Sequence, residues 1–395
     1  MTTHEGRPPL MRPDGERRSE VAPIELFFDL VYVFAIIQLS HTLLEHLTPL
    51  GAVQTALLFA AVWWVWNYTA WAMNWLDPRR TAVRILNALL MLAALGMALA
   101  LPKSFDEAGV AALVFALCYA AAQIGRPAFV VVALRGTVVS RNYRNILAWS
   151  TVASTLVVVG AFLPPTARLV VWAVGIAVDI AAPRFDLRFP GLGSTPMHTW
   201  PTDHEHLAER NRLVFLIALG ESILITGFTV SELPEITAYV ALIAVLGFVG
   251  LFGLWWSYFA LAGEDTAASR GESGTAALRG AYPYAHGLMV AGAILFAVAI
   301  ELHLTHPETG PALVLTSVGG PLLYVAGNVL FLKSRTGAVA RSRYVAAGAL
   351  VVIGIAGLVL GHALPALVLG IAVLAVVLGL AVATQLAADQ EVPTG

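Results

Sequence analysis

Between residues 24 and 387 the chain turns twelve times to an apolar stretch of about the 20 residues that a helix needs to cross a hydrocarbon core roughly 30 Å thick. Spans are expected near 24–46, 51–75, 82–101, 108–134, 144–163, 167–183, 206–229, 236–261, 282–304, 311–332, 344–361 and 363–387. They break at turn chemistry: Leu76-Asp77-Pro78-Arg79, Leu101-Pro102-Lys103, Pro164-Pro165 and His306-Pro307. Only Gly361-His362 separates the last two. Composition agrees. The sequence is 58% hydrophobic and 12% charged, against about a quarter charged in soluble domains. A soluble globule of this length cannot hide so much apolar surface, so lipid is the expected solvent. The fold class is all-α, a polytopic integral membrane bundle of about 12 transmembrane helices.

Cationic residues set an expected orientation, because Lys and Arg accumulate in cytoplasmic loops. The first 23 residues form a hydrophilic segment holding Arg7, Arg12, Arg17 and Arg18 among acids and prolines, read as a flexible tail and not a cleavable signal sequence. Of the 23 Lys and Arg residues, 20 fall on the same side as this tail; Lys103 and Arg168 fall on the other and Arg126 lies inside a span. The reading places both termini in the cytoplasm and the protein in the cell (inner/plasma) membrane. Cys118, the single cysteine, excludes an intrachain disulfide and reads as a small apolar residue.

The two halves resemble each other. Tyr119…Gly125-Arg126-Pro127-Ala128-Phe129 matches Tyr324…Gly327-Asn328-Val329-Leu330-Phe331, and Arg141-Asn142-Tyr143-Arg144 matches Arg341-Ser342-Arg343-Tyr344. Trp63-Trp64-Val65-Trp66-Asn67-Tyr68 has a counterpart in Trp255-Trp256-Ser257-Tyr258. The implied organisation is a tail (1–23), a six-helix repeat (24–183), a cytoplasmic loop (184–205), a second repeat of the same orientation (206–387) and a short tail (388–395). Parallel repeats of this kind build several transporter folds, with the site between the halves.

A charge at the bilayer centre costs at least about 2.5–3.5 kcal/mol on insertion scales, so each ionisable residue in a span needs a reason. Glu25 and Asp29 lie four apart on one helical face. Glu25 is close enough to the boundary to serve as a carboxylate on a helix amino terminus; Asp29 is a turn deeper. In the fourth span Tyr119, Gln123 and Arg126 share a stripe, and an Asp29–Arg126 ion pair, either structural or a gate, would let both charges insert. In the seventh span Glu221 falls near the midplane, with Arg210 eleven residues earlier on nearly the same face. A carboxylate there that can be charged or neutral suits proton- or cation-coupled transport; a protonated structural Glu is the alternative. Asp179 reads as a boundary residue.

The 184–205 loop and the residue after it hold His198, Asp203, His204, Glu205 and His206, so His198, His204 and His206 are weak zinc candidates, without a recognised spacing such as His-Glu-x-x-His. No phosphate-binding glycine loop, nucleophile elbow or nucleic-acid-binding basic patch is present, and no cofactor is expected. The tryptophan runs read as interfacial belts or packing.

Several motifs together are similar to the bacterial low temperature requirement protein A family: Glu25-Leu26-Phe27-Phe28-Asp29-Leu30-Val31, Gln38-Leu39-Ser40-His41, Asn74-Trp75-Leu76-Asp77-Pro78-Arg79, Pro190-Gly191-Leu192-Gly193, His206-Leu207-Ala208-Glu209-Arg210 and Ala218-Leu219-Gly220-Glu221-Ser222-Ile223. The resemblance is strong from about residue 20 to 260 and weaker beyond. It implies an integral membrane protein and brings no biochemical activity with it. The functional expectation is a transporter-like or ion-permeating protein whose partners are the bilayer and a small solute or ion. Its polar core would be Asp29, Arg126 and Glu221, with Glu25, Gln123 and Arg210 as further candidates. The rival classes are a membrane-embedded metal-dependent enzyme using the His198–His206 region and a non-transporting sensor or assembly factor.

Overall fold

The computed structural model describes residues 8–13, 21–107, 109–262 and 282–391. Among them are twelve long helices: α1 (Pro23–Glu45), α2 (Pro49–Met73), α3 (Thr81–Ala100), α4 (Val110–Ala133), α5 (Val138–Ala161), α6 (Pro165–Ala181), α7 (His204–Glu232), α8 (Ala238–Ala262), α9 (Tyr282–Thr305), α10 (Pro311–Thr336), α11 (Arg341–Leu360) and α12 (Ala366–Glu391). All twelve are long and apolar enough to cross a membrane, and no strand occurs among the described residues beyond two isolated bridges. The protein is therefore an all-helical, multi-pass membrane bundle, and lipid-facing Leu, Val and Phe side chains account for its exposed apolar surface.

Local chemistry explains the helix ends. α1, α2, α6 and α10 open on proline, whose missing N–H costs nothing in a first turn. α5 departs furthest from expectation, starting at Val138 and not near 144, because Thr137 caps it: the Thr137 hydroxyl accepts from the Ser140 N–H at 3.1 Å. α11 and α12 are separate helices because Gly361 turns the chain at φ +51°, in the left-handed region that favours glycine.

The helices fall into two compact units that divide inside α7, between Arg212 and Leu213. The first holds the described residues up to Thr42 and Pro49–Arg212, hence nearly all of α1, with α2–α6 and the start of α7. The second holds Leu43–Thr48, the rest of α7 and α8–α12. The 184–205 loop was the expected boundary. The division falls later because His206 and Arg210, described below, are bonded to α1.

In the first unit the 184–205 segment is built onto the helix ends. Trp200 packs on Trp71, Trp75 and Tyr143 with ring centroids 5.4–5.7 Å apart, and Trp75 Nε1 donates to the Pro201 carbonyl at 3.0 Å. The tail is not wholly free. The Arg12 N–H donates to the Trp75 carbonyl at 2.8 Å and the Asp77 N–H to the Leu10 carbonyl at 2.9 Å, which pins residues 10–12 against the α2–α3 connection. The hydrophilic composition gave no sign of this.

In the second unit α9 and α10 touch backbone to backbone. A Cβ on Gly320 would lie 2.7 Å from the Phe296 nitrogen, and one on Gly292 2.6 Å from the Gly320 carbonyl oxygen. Small residues permit such close approach in membranes, where packing replaces the hydrophobic drive between helices. Gly320→Ala is accordingly expected to lower stability by about 1–3 kcal/mol, read as an earlier melting transition in detergent. Gly348→Ala in α11, with open space around its Cβ position, should leave the transition in place.

Candidate functional site: a buried charge cluster and a buried carboxylate

The first unit buries four ionised side chains around the start of α1. Glu25 and Asp29 are each fully buried, Arg210 also, and Arg12 is 4% exposed. Arg210 bridges the carboxylates: one guanidinium nitrogen donates to Glu25 Oε2 at 3.1 Å and the other to Asp29 Oδ1 at 2.6 Å. Arg12 donates to Glu25 Oε1 at 3.1 Å and to the Met73 carbonyl at 2.9 Å. Trp66 Nε1 donates to Asp29 Oδ1 at 2.8 Å. Two carboxylates thus face two guanidiniums. Matching charge with direct charge-assisted hydrogen bonds is what makes burial of four ions tolerable.

His206 completes the cluster. Its Nε2 lies 2.7 Å from Glu25 Oε2 and 3.0 Å from the Arg12 guanidinium, and its Nδ1 lies 3.3 Å from the Asn74 side-chain nitrogen. Asn74 is itself fixed, its side-chain oxygen accepting the Asp203 N–H at 2.8 Å.

A second network joins α4, α5 and α6. Asp179 accepts from the Tyr119 hydroxyl at 2.7 Å, the Ser150 hydroxyl at 3.2 Å and the Gln123 amide. Gln123 in turn accepts from Arg126 at 2.5 Å, and Arg126 also donates to the Thr69 hydroxyl at 3.1 Å and the Val65 carbonyl at 3.3 Å. The Arg126 guanidinium lies 5.2 Å from the Tyr68 ring centroid, a cation–π contact.

One expectation is corrected by this geometry. Asp29 is paired with Arg210 and not with Arg126, whose hydrogen bonds go to neutral partners. Similar depth does not fix which face of a helix looks where, and α7 supplies the closer cation. Glu25, in the first turn of α1, is held in addition by three side chains from the tail and α7. Asp179, in the last turn of α6, is fully buried with donors from α4 and α5. Arg12, Trp66 and Asn74 were not singled out as site residues: the first sits in a polar tail and the second in an aromatic run, both with ordinary explanations.

Of the metal candidates, His206 is engaged by Glu25 and Asn74, His198 is exposed and His204 is half-buried. Among the described residues no three His, Cys, Asp or Glu side chains are grouped to hold a metal ion.

Glu221 lies in the second unit, in α7. It is 1% exposed, and neither carboxylate oxygen has a hydrogen-bond partner among the described residues. Its neighbour Ser222 spends its hydroxyl on the Ala218 carbonyl at 2.9 Å and reaches the Ala293 carbonyl at 3.5 Å. A turn and a half before Glu221, Phe215 packs on Tyr258 and Tyr324 at 4.6 and 5.9 Å, giving the helix an aromatic support. Buried polar groups are otherwise nearly always partnered, so this carboxylate stands out chemically.

An uncharacterized protein of Rhizobium meliloti (strain 1021) is 36% identical over 328 residues, covering 81% of this chain and 78% of the relative. No solved structure matches. The family model described as bacterial low temperature requirement A protein matches residues 20–382, so the similarity extends through the second unit as well as the first. The chain belongs to the bacterial low temperature requirement A protein family.

Proposed function

We propose that the protein is a secondary-transporter-like or ion-permeating protein of the cell (inner/plasma) membrane that moves a small solute or ion. The observation that carries this reading is Glu221: a buried carboxylate with no hydrogen-bond partner among the described residues, in a membrane-spanning helix. Intramembrane ionisable groups are costly and mark ion or solute pathways in transporters. A group that satisfied only packing would be expected to be apolar or hydrogen-bonded. The Glu25–Asp29–Arg210 cluster, together with Gln123 and Arg126, supplies further polar surface inside the first unit. The two six-helix repeats expected from the sequence are compatible with this reading, since six helices lie on either side of the 184–205 loop and several transporter folds are built from repeats.

The test is flux. Purified protein reconstituted in liposomes should pass protons or monovalent cations, or take up solute against an imposed proton gradient, above the rate of protein-free liposomes. No protein-dependent flux of any tested ion or solute would contradict the reading.

The orientation follows from the cationic alternation, with both termini cytoplasmic. Labels near Glu107, Glu232 and Glu308 are expected to react with an impermeant external reagent, and labels near Asp77, Ser140 and Ser334 only after permeabilisation. External reaction at Asp77 would overturn the orientation.

A further inference from the structure

The first unit has a cavity of about 540 Å³ that the buried cluster does not use, within the range of roughly 300–1,000 Å³ typical of small-molecule sites. It opens where α1 and α3 begin, at the end of the spans, and its lining is mixed in chemistry. α1 contributes the apolar Ile24 and Phe27, the latter 58% exposed. The α2–α3 connection and the first turn of α3 contribute the cationic Arg79 and Arg84. Arg12 also lines the cavity, but its guanidinium is committed to Glu25 and the Met73 carbonyl.

Arg79 and Arg84 are differently placed. Asp77, the acidic residue in the lining, is occupied: its carboxylate accepts the Arg79 backbone N–H at 3.1 Å and pairs with Arg80 at 3.4 Å. Arg84 is anchored by Nε donating to the Pro78 carbonyl at 3.2 Å, which steadies the guanidinium and leaves its two terminal nitrogens without a protein acceptor among the described residues. The Arg79 side chain likewise meets no acceptor among them. Two arginines, one held by its Nε, thus share the lining of a span-end cavity with an exposed phenyl ring. Guanidinium forks bind phosphate bidentately, and basic pockets beside transmembrane helices receive anionic head groups.

We propose that this cavity is a site for an anionic phospholipid, its phosphate held by Arg79 and Arg84 and its acyl chain running along Phe27 on the outer face of α1. The apolar part of the lining favours a lipid over a free phosphate, because a soluble anion would gain nothing from Phe27 or Ile24. The site stands whether or not the protein transports anything.

Binding is read on the purified full-length protein in neutral detergent, by native mass spectrometry and by the shift in melting temperature on titrating dioleoylphosphatidylglycerol. Dioleoylphosphatidylcholine and inorganic phosphate serve as comparison probes. The expected result is saturable phosphatidylglycerol binding that weakens at least tenfold in Arg79→Gln/Arg84→Gln. Phosphatidylcholine should bind at least tenfold more weakly, and inorganic phosphate should give no comparable shift. Arg141→Gln/Arg144→Gln, which removes two exposed arginines from α5, should bind phosphatidylglycerol like the unmodified protein. Equal losses in the two double variants would mean diffuse charge attraction and overturn the site. Unchanged binding in Arg79→Gln/Arg84→Gln would overturn it as well, and full stabilisation by inorganic phosphate alone would overturn the lipid assignment.

Discussion

Replacing Arg210 by glutamine is expected to cost about 3–5 kcal/mol of stability, the range seen when one member of a buried ion pair is removed. Arg210 contributes a hydrogen bond to each of two buried carboxylates, at 3.1 Å to Glu25 and 2.6 Å to Asp29. Without it, Asp29 keeps only Trp66 as a donor among the described residues, and Glu25 keeps Arg12 and His206. One negative charge would then be uncompensated in a fully buried site. The expected readout is a large drop in the detergent melting temperature and in the yield of monodisperse protein. Adding Asp29→Asn should restore part of the loss, since it removes the stranded charge while leaving an oxygen for Trp66 Nε1. Asp29→Asn and Arg126→Gln, in contrast, should add independently, because those two side chains are not partners. An Arg210→Gln variant within about 0.5 kcal/mol of the unmodified protein, the range of an ordinary surface substitution, would remove the cluster from the account.

The membrane architecture is legible in the sequence because the bilayer imposes a length. Each of the twelve apolar runs is long enough to span, and the prolines at 23, 49, 165 and 311 mark helix starts directly. The charged candidates are legible for a related reason: Glu25, Asp29, Arg126, Arg210 and Glu221 stand out against apolar surroundings. Their pairing is not. Glu25 and Asp29 are each 181 or more residues from their α7 partners, and helix periodicity gives a residue's face without giving the neighbour that the face meets. Arg12 escaped because a short polar segment carries no periodicity at all; only the backbone bonds to Trp75 and Asp77 place it. The position of Asp179 near the end of its span is legible, but its three donors come from α4 and α5, a relation that position along one helix does not carry.

Glu221→Gln is expected to fold and insert as the unmodified protein does and to lose function. Glutamine has nearly the shape of the neutral acid and preserves its capacity for hydrogen bonding, so packing around Ser222 and Ala293 should survive. It cannot take up or release a proton, and it brings no negative charge to attract a cation. Neither oxygen of Glu221 has a protein partner to lose among the described residues, so no structural penalty of the kind expected for Arg210→Gln should appear. If Glu221 couples movement of solute to protons or cations, turnover should fall roughly tenfold or more, corresponding to about 1.4 kcal/mol or more on the rate-limiting barrier, and the dependence of flux on pH should flatten. A purely structural carboxylic acid behaves in the opposite way: Glu221→Gln retains full flux while Glu221→Ala loses stability. The deciding measurement is the initial rate of proton- or cation-coupled flux in proteoliposomes, unmodified protein against Glu221→Gln at matched protein density and across a series of pH values. The account predicts a depressed and pH-independent rate in the variant. Equal rates with the same pH profile would contradict it.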